Sequence, residues 1–325
     1  MRSLGLLVAF AAGMTAACGR SSSADKSTAS SSAASPSATA PNSQEAAPPA
    51  SQTGGFDGAN AYAQTATLVS FGPRPPDSDA LHQTQKYIQD QLKGYGCPVD
   101  TDDFHTGTPI GTVAMKNIIA KIPGEKPGIL LLLTHYDTLK KPEFVGAVDG
   151  GSSSGMMLEM ARLVCAQKNH LTIWIAFLDG EEAFVQWSDT DSTYGSRELA
   201  ARMAMAGDLK QVKAVLLADM VGPINLQIKK DPNSTPWLTD LVWSTAARLG
   251  YGNYFVNDTL AIEDDHLPFT RRSVAAVDVI DLAGFQDAGF WHTPQDTMDK
   301  VSAKSLAIVG HVFLESVNEL EKKYH

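Results

Sequence analysis

The side chains best suited to chemistry are His135 and Asp137 in a His-x-Asp pair, Asp149, the adjacent Glu181-Glu182, Asp219, and the His292 of Trp291-His292-Thr293. Two residues apart on an extended segment, His135 and Asp137 share a face, so the aspartate can hold the second imidazole nitrogen and set the tautomer for metal binding. Asp149 precedes Gly150-Gly151-Ser152, a flexible turn into a helix, where a lone aspartate is most often a cap. Glu181-Glu182 is a stronger signal. Neighbouring carboxylates on a loop point in different directions, so one can bind a cation while the other stays free as a base. Their repulsion disfavours leaving both charged without a cation. One His, one Asp and one Glu from three loops make a zinc set with an open fourth position.

The elements that must deliver these groups are legible as apolar runs. Short runs at 117–122, 128–133, 172–178, 214–217 and 275–280 fit buried strands, and helical periodicity covers 60–70, 80–92, 153–166, 196–205, 237–249 and 302–320. Nearly continuous apolar strands separated by helices predict one α/β domain with a mostly parallel, mixed twisted sheet flanked by helices. Residues 96–104, with 117–122, would add an antiparallel edge. Three of the runs end in polar groups: 128–133 leads to His135, 172–178 to Glu181 and Glu182, and 214–217 to Asp219. In open α/β sheets ligands lie beyond the carboxyl ends of the strands, which makes this rim the expected site.

The beginning of the chain differs from the rest. A basic start, an apolar run from Leu4 to Met14 and Thr15-Ala16-Ala17-Cys18 predict a secretory signal over 1–17, with Cys18 lipidated as the first mature residue. A Ser/Ala/Pro-rich disordered tether is expected over 18–55 and the folded domain over 56–325. Lipid anchoring implies a bacterial cell envelope. Gly19 in place of an aspartate favours the outer membrane, facing the periplasm, where there are two. The net charge is −10, or −11 once Arg2 leaves with the signal, which argues against nucleic acid as a partner. A monomer is expected. Cys97 and Cys165 have no framework spacing, and the sequence leaves their pairing open.

Longer motifs carry a resemblance. The segments Phe144-Val-Gly-Ala-Val-Asp149, Asp179-Gly-Glu-Glu-Ala-Phe-Val-Gln-Trp187-Ser, Tyr194-Gly-Ser-Arg197, Asp264-Asp-His-Leu-Pro-Phe269 and Trp291-His-Thr293 resemble the animal-type glutaminyl cyclases, from about Phe56 to the C-terminus. These zinc enzymes are related to the di-zinc aminopeptidases. The resemblance implies one Zn2+ per chain held by Asp149, Glu182 and His292. Glu181 would be the acid–base residue, beside a hydrogen-bonded carboxyl network of Asp219 and Asp264. Trp187, Glu263, Phe285 and Trp291 would shape the substrate pocket. The implied substrates are peptides or proteins with N-terminal glutamine, closed to pyroglutamate with release of ammonia. Glu263 stands where the animal enzymes carry glutamine, Thr134 and Ser154 replace a cysteine pair, and the stretch 281–290 is longer. Two other readings use the same residues. In a di-zinc aminopeptidase His135 and Asp219 would bind a second metal, Asp149 would bridge, and Glu181 would activate water. A catalytically silent peptide-binding lipoprotein would have no need of a free Glu181.

Overall fold

Leu130 and Leu132 turn to one face of the central sheet, Leu131 and Leu133 to the other, and all four are fully buried. A strand apolar on both faces has to be covered on both. The structure, a computed structural model, describes residues 46–324; the expected signal segment, Cys18 and the tether up to residue 45 lie outside the described residues. The sheet has six strands: β1 (Val99–Thr108), β2 (Gly111–Ile122), β3 (Gly124–His135), β4 (Asn169–Leu178), β5 (Val212–Asp219) and β8 (Ala276–Ile280). A separate two-stranded sheet pairs β6 (Ile228–Lys230) with β7 (Phe255–Thr259). The large sheet runs β1-β2-β4-β3-β5-β8; β4, β3, β5 and β8 are parallel, and β1 and β2 form the antiparallel edge. The mixed sheet matches the sequence reading. The small sheet was not anticipated, because β6 has only three residues.

Helices α1 (Gly58–Ser70), α2 (Asp79–Gly94), α3 (Gly151–Val164), α5 (Pro236–Arg248) and α8 (Ala303–Lys323) bury one sheet face. On the other face lie α4 (Tyr194–Ala206) and the one-turn α6 (Leu267–Thr270), through Leu199, Met203 and Phe269. A short α7 (Leu282–Asp287) follows β8. Caps place the starts: Asp57 accepts from Ala59 and Asn60 N–H, Ser78 from Leu81, and Ser302 from Ser305.

One expectation changes, and one pairing left open by the sequence is settled. The fold begins ahead of Phe56: Ala50–Gln52 forms a 3₁₀ turn, Thr53 is fully buried and donates to the Phe56 carbonyl at 2.5 Å, and Arg162 reaches the Gly55 carbonyl. These contacts use backbone, so Ser/Ala/Pro composition gave no sign of them. Cys97 and Cys165 form a disulfide joining the chain ahead of β1 to the end of α3. At the positions of the absent cysteine pair, Thr134 and Ser154 both donate to the carbonyl of His135, at 3.2 and 2.7 Å.

Candidate active site

The carboxyl ends of β3, β4 and β5 present His135, Glu181-Glu182 and Asp219 on one rim, and two loops complete it. The first loop carries Asp149 into α3. Gly150 adopts φ +74°, and a Cβ there would stand 2.8 Å from both the Asp137 carbonyl and a His135 ring carbon. Only glycine permits so close a turn. The second loop carries His292, itself in the left-handed region at φ +53°, a conformation a non-glycine residue holds only when its surroundings impose it. Trp291 stacks on its ring at 4.0 Å, Phe144 meets it edge-on, and Lys141 donates to its carbonyl at 2.8 Å.

Buried polar groups brace both loops. Asp296 accepts from Val148 N–H at 2.7 Å and Asp149 N–H at 3.0 Å, tying the loop of His292 to that of Asp149. Arg74, buried and pulled down to about 10 by desolvation, donates to the carbonyls of Tyr136, Val145 and Gly146. Asp137 grips the acidic pair, accepting from Glu181 N–H at 3.1 Å and Glu182 N–H at 3.4 Å, while lying 3.4 Å from His135 Nδ1. Neither Asp296 nor Arg74 was marked as functional in the sequence, since a side chain that bonds backbone leaves no spacing signature.

His292 Nε2 lies 3.3 Å from both Asp149 Oδ2 and Glu182 Oε2. On a tetrahedron with bonds of about 2.0–2.1 Å, neighbouring ligand atoms stand about 3.3–3.4 Å apart. These contacts are long for charge-assisted hydrogen bonds and right for the edges of a zinc-like site. Asp149 Oδ2 is buried with no hydrogen-bond partner, as an oxygen facing a cation would be. The electrostatics agree. Burial pushes Glu182 up to about 7, with Asp149 adding to it. His292 rises to about 10, burial opposing but the close Asp149 and Glu182 carboxylates prevailing. Burial also works against ionised Asp149, yet His135 and His292 hold it below the usual carboxylate range. The site favours positive charge, whether as a proton or as a metal displacing it.

A second group, His135, Asp149 and Asp219, lies beside the first. There His135 Nε2 is 3.0 Å from Asp219 Oδ1, a hydrogen-bond distance, and Asp219 also accepts from Met220 N–H at 2.7 Å. The carboxyl network implied by the resemblance is therefore modified. Among the described residues no hydrogen bond links Glu181, Asp219 and Asp264; Asp219 pairs with His135 instead, and Asp264 Oδ2 is buried without a partner. They share one low-dielectric space. Burial raises Glu181 and Asp264 well above ordinary carboxyls, the neighbouring acids adding to it.

All three acids line a cavity of about 240 Å³, whose walls include Trp187, Trp291, Ile262 and Leu282, with Glu263 also lining it. Trp187 is carried by a loop that Asp191 holds shut, accepting from Phe184, Val185 and Gln186 N–H at 2.9 Å each. Phe285 is the misplaced expectation: it is buried against Phe290, and Leu282, one turn earlier on α7, faces the cavity. In the longer 281–290 stretch the helical turn rotates the aromatic inward.

Residues 117–317 match the model of peptidase family M28. The chain is 30% identical over 260 residues to a glutaminyl-peptide cyclotransferase of Drosophila melanogaster, covering 70% of this chain and 73% of that protein. It superposes on the crystal structure of an Acidobacteriales bacterium glutaminyl cyclase with a TM-score of 0.78 at 40% identity, covering 88% of this chain and 99% of that one. A Zn-dependent exopeptidase from Parabacteroides distasonis aligns with a TM-score of 0.73 at 29% identity, over 81% of this chain and 98% of its own. With its strand-end acids and tryptophan-bearing loop in the corresponding fold, the chain belongs to peptidase family M28 and, within it, to the glutaminyl-peptide cyclotransferases.

Proposed function

We propose that this protein is a zinc-dependent glutaminyl-peptide cyclotransferase, closing N-terminal glutamine to pyroglutamate with release of ammonia. One observation carries the reading: Glu181, unneeded as a ligand, lines the same tryptophan-walled cavity as Asp149, Glu182 and His292. Asp149, Glu182 and His292 hold one zinc, and the hydrogen-bonded distance between His135 and Asp219 supports a single metal over a pair. Bound there, zinc supplies Lewis acidity toward the γ-carbonyl of the substrate glutamine.

The remaining work falls to the protein. The walls of Trp187, Trp291, Ile262 and Leu282 hold the glutamine side chain folded back on its own α-amine, an intramolecular arrangement that needs no external water. Glu181 takes a proton from the attacking amine nitrogen as the new C–N bond forms. It returns that proton to the departing nitrogen as the γ-C–N bond breaks, so ammonia leaves and Glu181 ends as it began. Asp264, its carboxyl raised by burial and by Asp219, lines the same cavity as Glu181. Anchoring at the bacterial envelope through a lipidated Cys18, and a monomeric state, complete the proposal.

Incubating the zinc-loaded protein with a Gln-initiated peptide tests it. Loss of ammonia from an otherwise intact peptide supports the cyclase. A peptide shortened by its first residue would replace this reading with the aminopeptidase one.

A further inference from the structure

Among the residues lining the active-site cavity only Ala261 and Glu263 are exposed; the others are buried or half-buried. The mouth of the cavity is therefore where Ala261 and Glu263 stand. The cavity accommodates one amino-acid residue and little more, so with glutamine inside, the next residue of the peptide must emerge past this pair. The backbone here is firmly held. Ile262 N–H donates to Asp231 Oδ1 at 3.1 Å and Asn233 Nδ2 donates to the Ile262 carbonyl at 2.8 Å. Glu263 thus presents its side chain from a fixed point.

Nothing neutralises it locally. No lysine or arginine lines the cavity, and the Glu263 carboxylate has no hydrogen-bond or ion-pair partner among the described residues. Lys229 lines the adjacent pocket behind Ile262 and Leu282, near Asp281, and other cations on neighbouring loops are engaged elsewhere. Arg271 pairs with Asp189 at 2.8 Å, Lys141 donates to the His292 carbonyl, and Lys300 pairs with Asp299 beside the Phe290 ring. The overall charge of −10 adds to the same field.

We infer that Glu263 is a specificity-determining residue that selects peptides with a lysine or arginine immediately after the N-terminal glutamine and disfavours those with an acid there. The inference rests on the cyclase reading, whose substrate class it narrows. An exposed charge pair contributes modestly, so kcat/KM is expected to favour a Gln-Lys peptide over a Gln-Glu peptide by about three- to ten-fold at low salt. The preference should shrink as ionic strength rises. It should lie in KM, because the contact is the same in ground and transition states.

The test compares Gln-Lys, Gln-Ala and Gln-Glu peptides of equal length with the zinc-loaded wild-type protein, Glu263→Gln and Glu263→Lys. The Lys-to-Glu ratio of kcat/KM cancels any loss common to all substrates. It should fall towards one in Glu263→Gln and invert in Glu263→Lys. A wild-type ratio near one, or a ratio unchanged in both variants, overturns the inference while the cyclase reading stands. Absence of pyroglutamate from all three peptides with wild-type protein overturns the cyclase reading, and the inference with it.

Discussion

Among the described residues three sets of one histidine and two carboxylates could hold a cation; two share Asp149 at the active-site cavity, and the third lies apart from it. Asp149, Glu182 and His292 meet on the rim, with the His292 side chain 24% exposed and carboxylate oxygens left unpartnered. Asp231, His266 and Asp278 meet beneath the substrate side, all buried. The Asp231 oxygens there are already occupied. Oδ1 accepts from Asn233 and Ile262 N–H, and Oδ2 accepts from the Ser234 hydroxyl and lies 3.1 Å from His266 Nε2. The residue types proposed to hold zinc in one place bond backbone and a neighbouring hydroxyl through Asp231 in the other. Unpartnered atoms do not separate them, since both His266 nitrogens and both Asp278 oxygens also lack hydrogen-bond partners; access does, His292 being partly exposed while His266 and Asp278 are fully buried.

The rim group can be broken most deeply. Glu181→Gln is expected to keep its zinc and lose about 10²–10⁴-fold in turnover, the usual contribution of a positioned proton shuttle. Glu182→Gln should instead lose zinc, an amide oxygen being a poorer ligand. Metal content and turnover measured on both variants separate base from ligand. Equal zinc loss in the two would erase the distinction between neighbours.

The comparison sharpens at the supports. Asp296→Ala frees the Val148 and Asp149 amides and is expected to weaken zinc binding by about 10–100-fold, read by chelator competition. Asp231→Ala should leave zinc affinity largely intact and destabilise the fold by about 2 kcal/mol, measured by denaturant unfolding, because buried donors lose their acceptor. An Asp231→Ala protein that loses zinc but not stability would make the two groups alike after all.

The smallest effect concerns Asp278. Burial, then the charges of Asp264 and Asp231, hold its carboxyl well above the ordinary 3.8. The native state therefore keeps a proton that the unfolded chain releases above about pH 4, so this group lowers stability as pH rises from there. Asp278→Asn does not titrate. Its Tm relative to wild type should rise between acid and neutral pH, and a difference flat in pH would refute the protonated carboxyl.

The rim was largely legible in the sequence. Buried parallel strands are apolar on both faces, so the points where β3, β4 and β5 turn polar at His135, Glu181 and Asp219 stand out. Asp149 and His292 sit on loops without periodicity, and the motif resemblance supplied what spacing left ambiguous. The supports were not legible. Arg74, Asp231 and Asp296 act on backbone amides and carbonyls brought near only by folding. Phe285 failed for a related reason: which side of a one-and-a-half-turn helix meets the cavity depends on where the turn begins.

The disulfide closes a loop of 68 residues that contains β1, β2 and β3, and with them His135, Asp137 and Asp149. Polymer statistics give that ring a meaning beyond packing. Once oxidised, the denatured chain cannot spread its first site residues freely, and the lost loop entropy is worth about 2–4 kcal/mol towards the native state. Glu181 and His292 lie outside the ring. The catalytic rim is therefore assembled from one tethered segment and one free segment, and reduction would enlarge the conformational search of the tethered half alone.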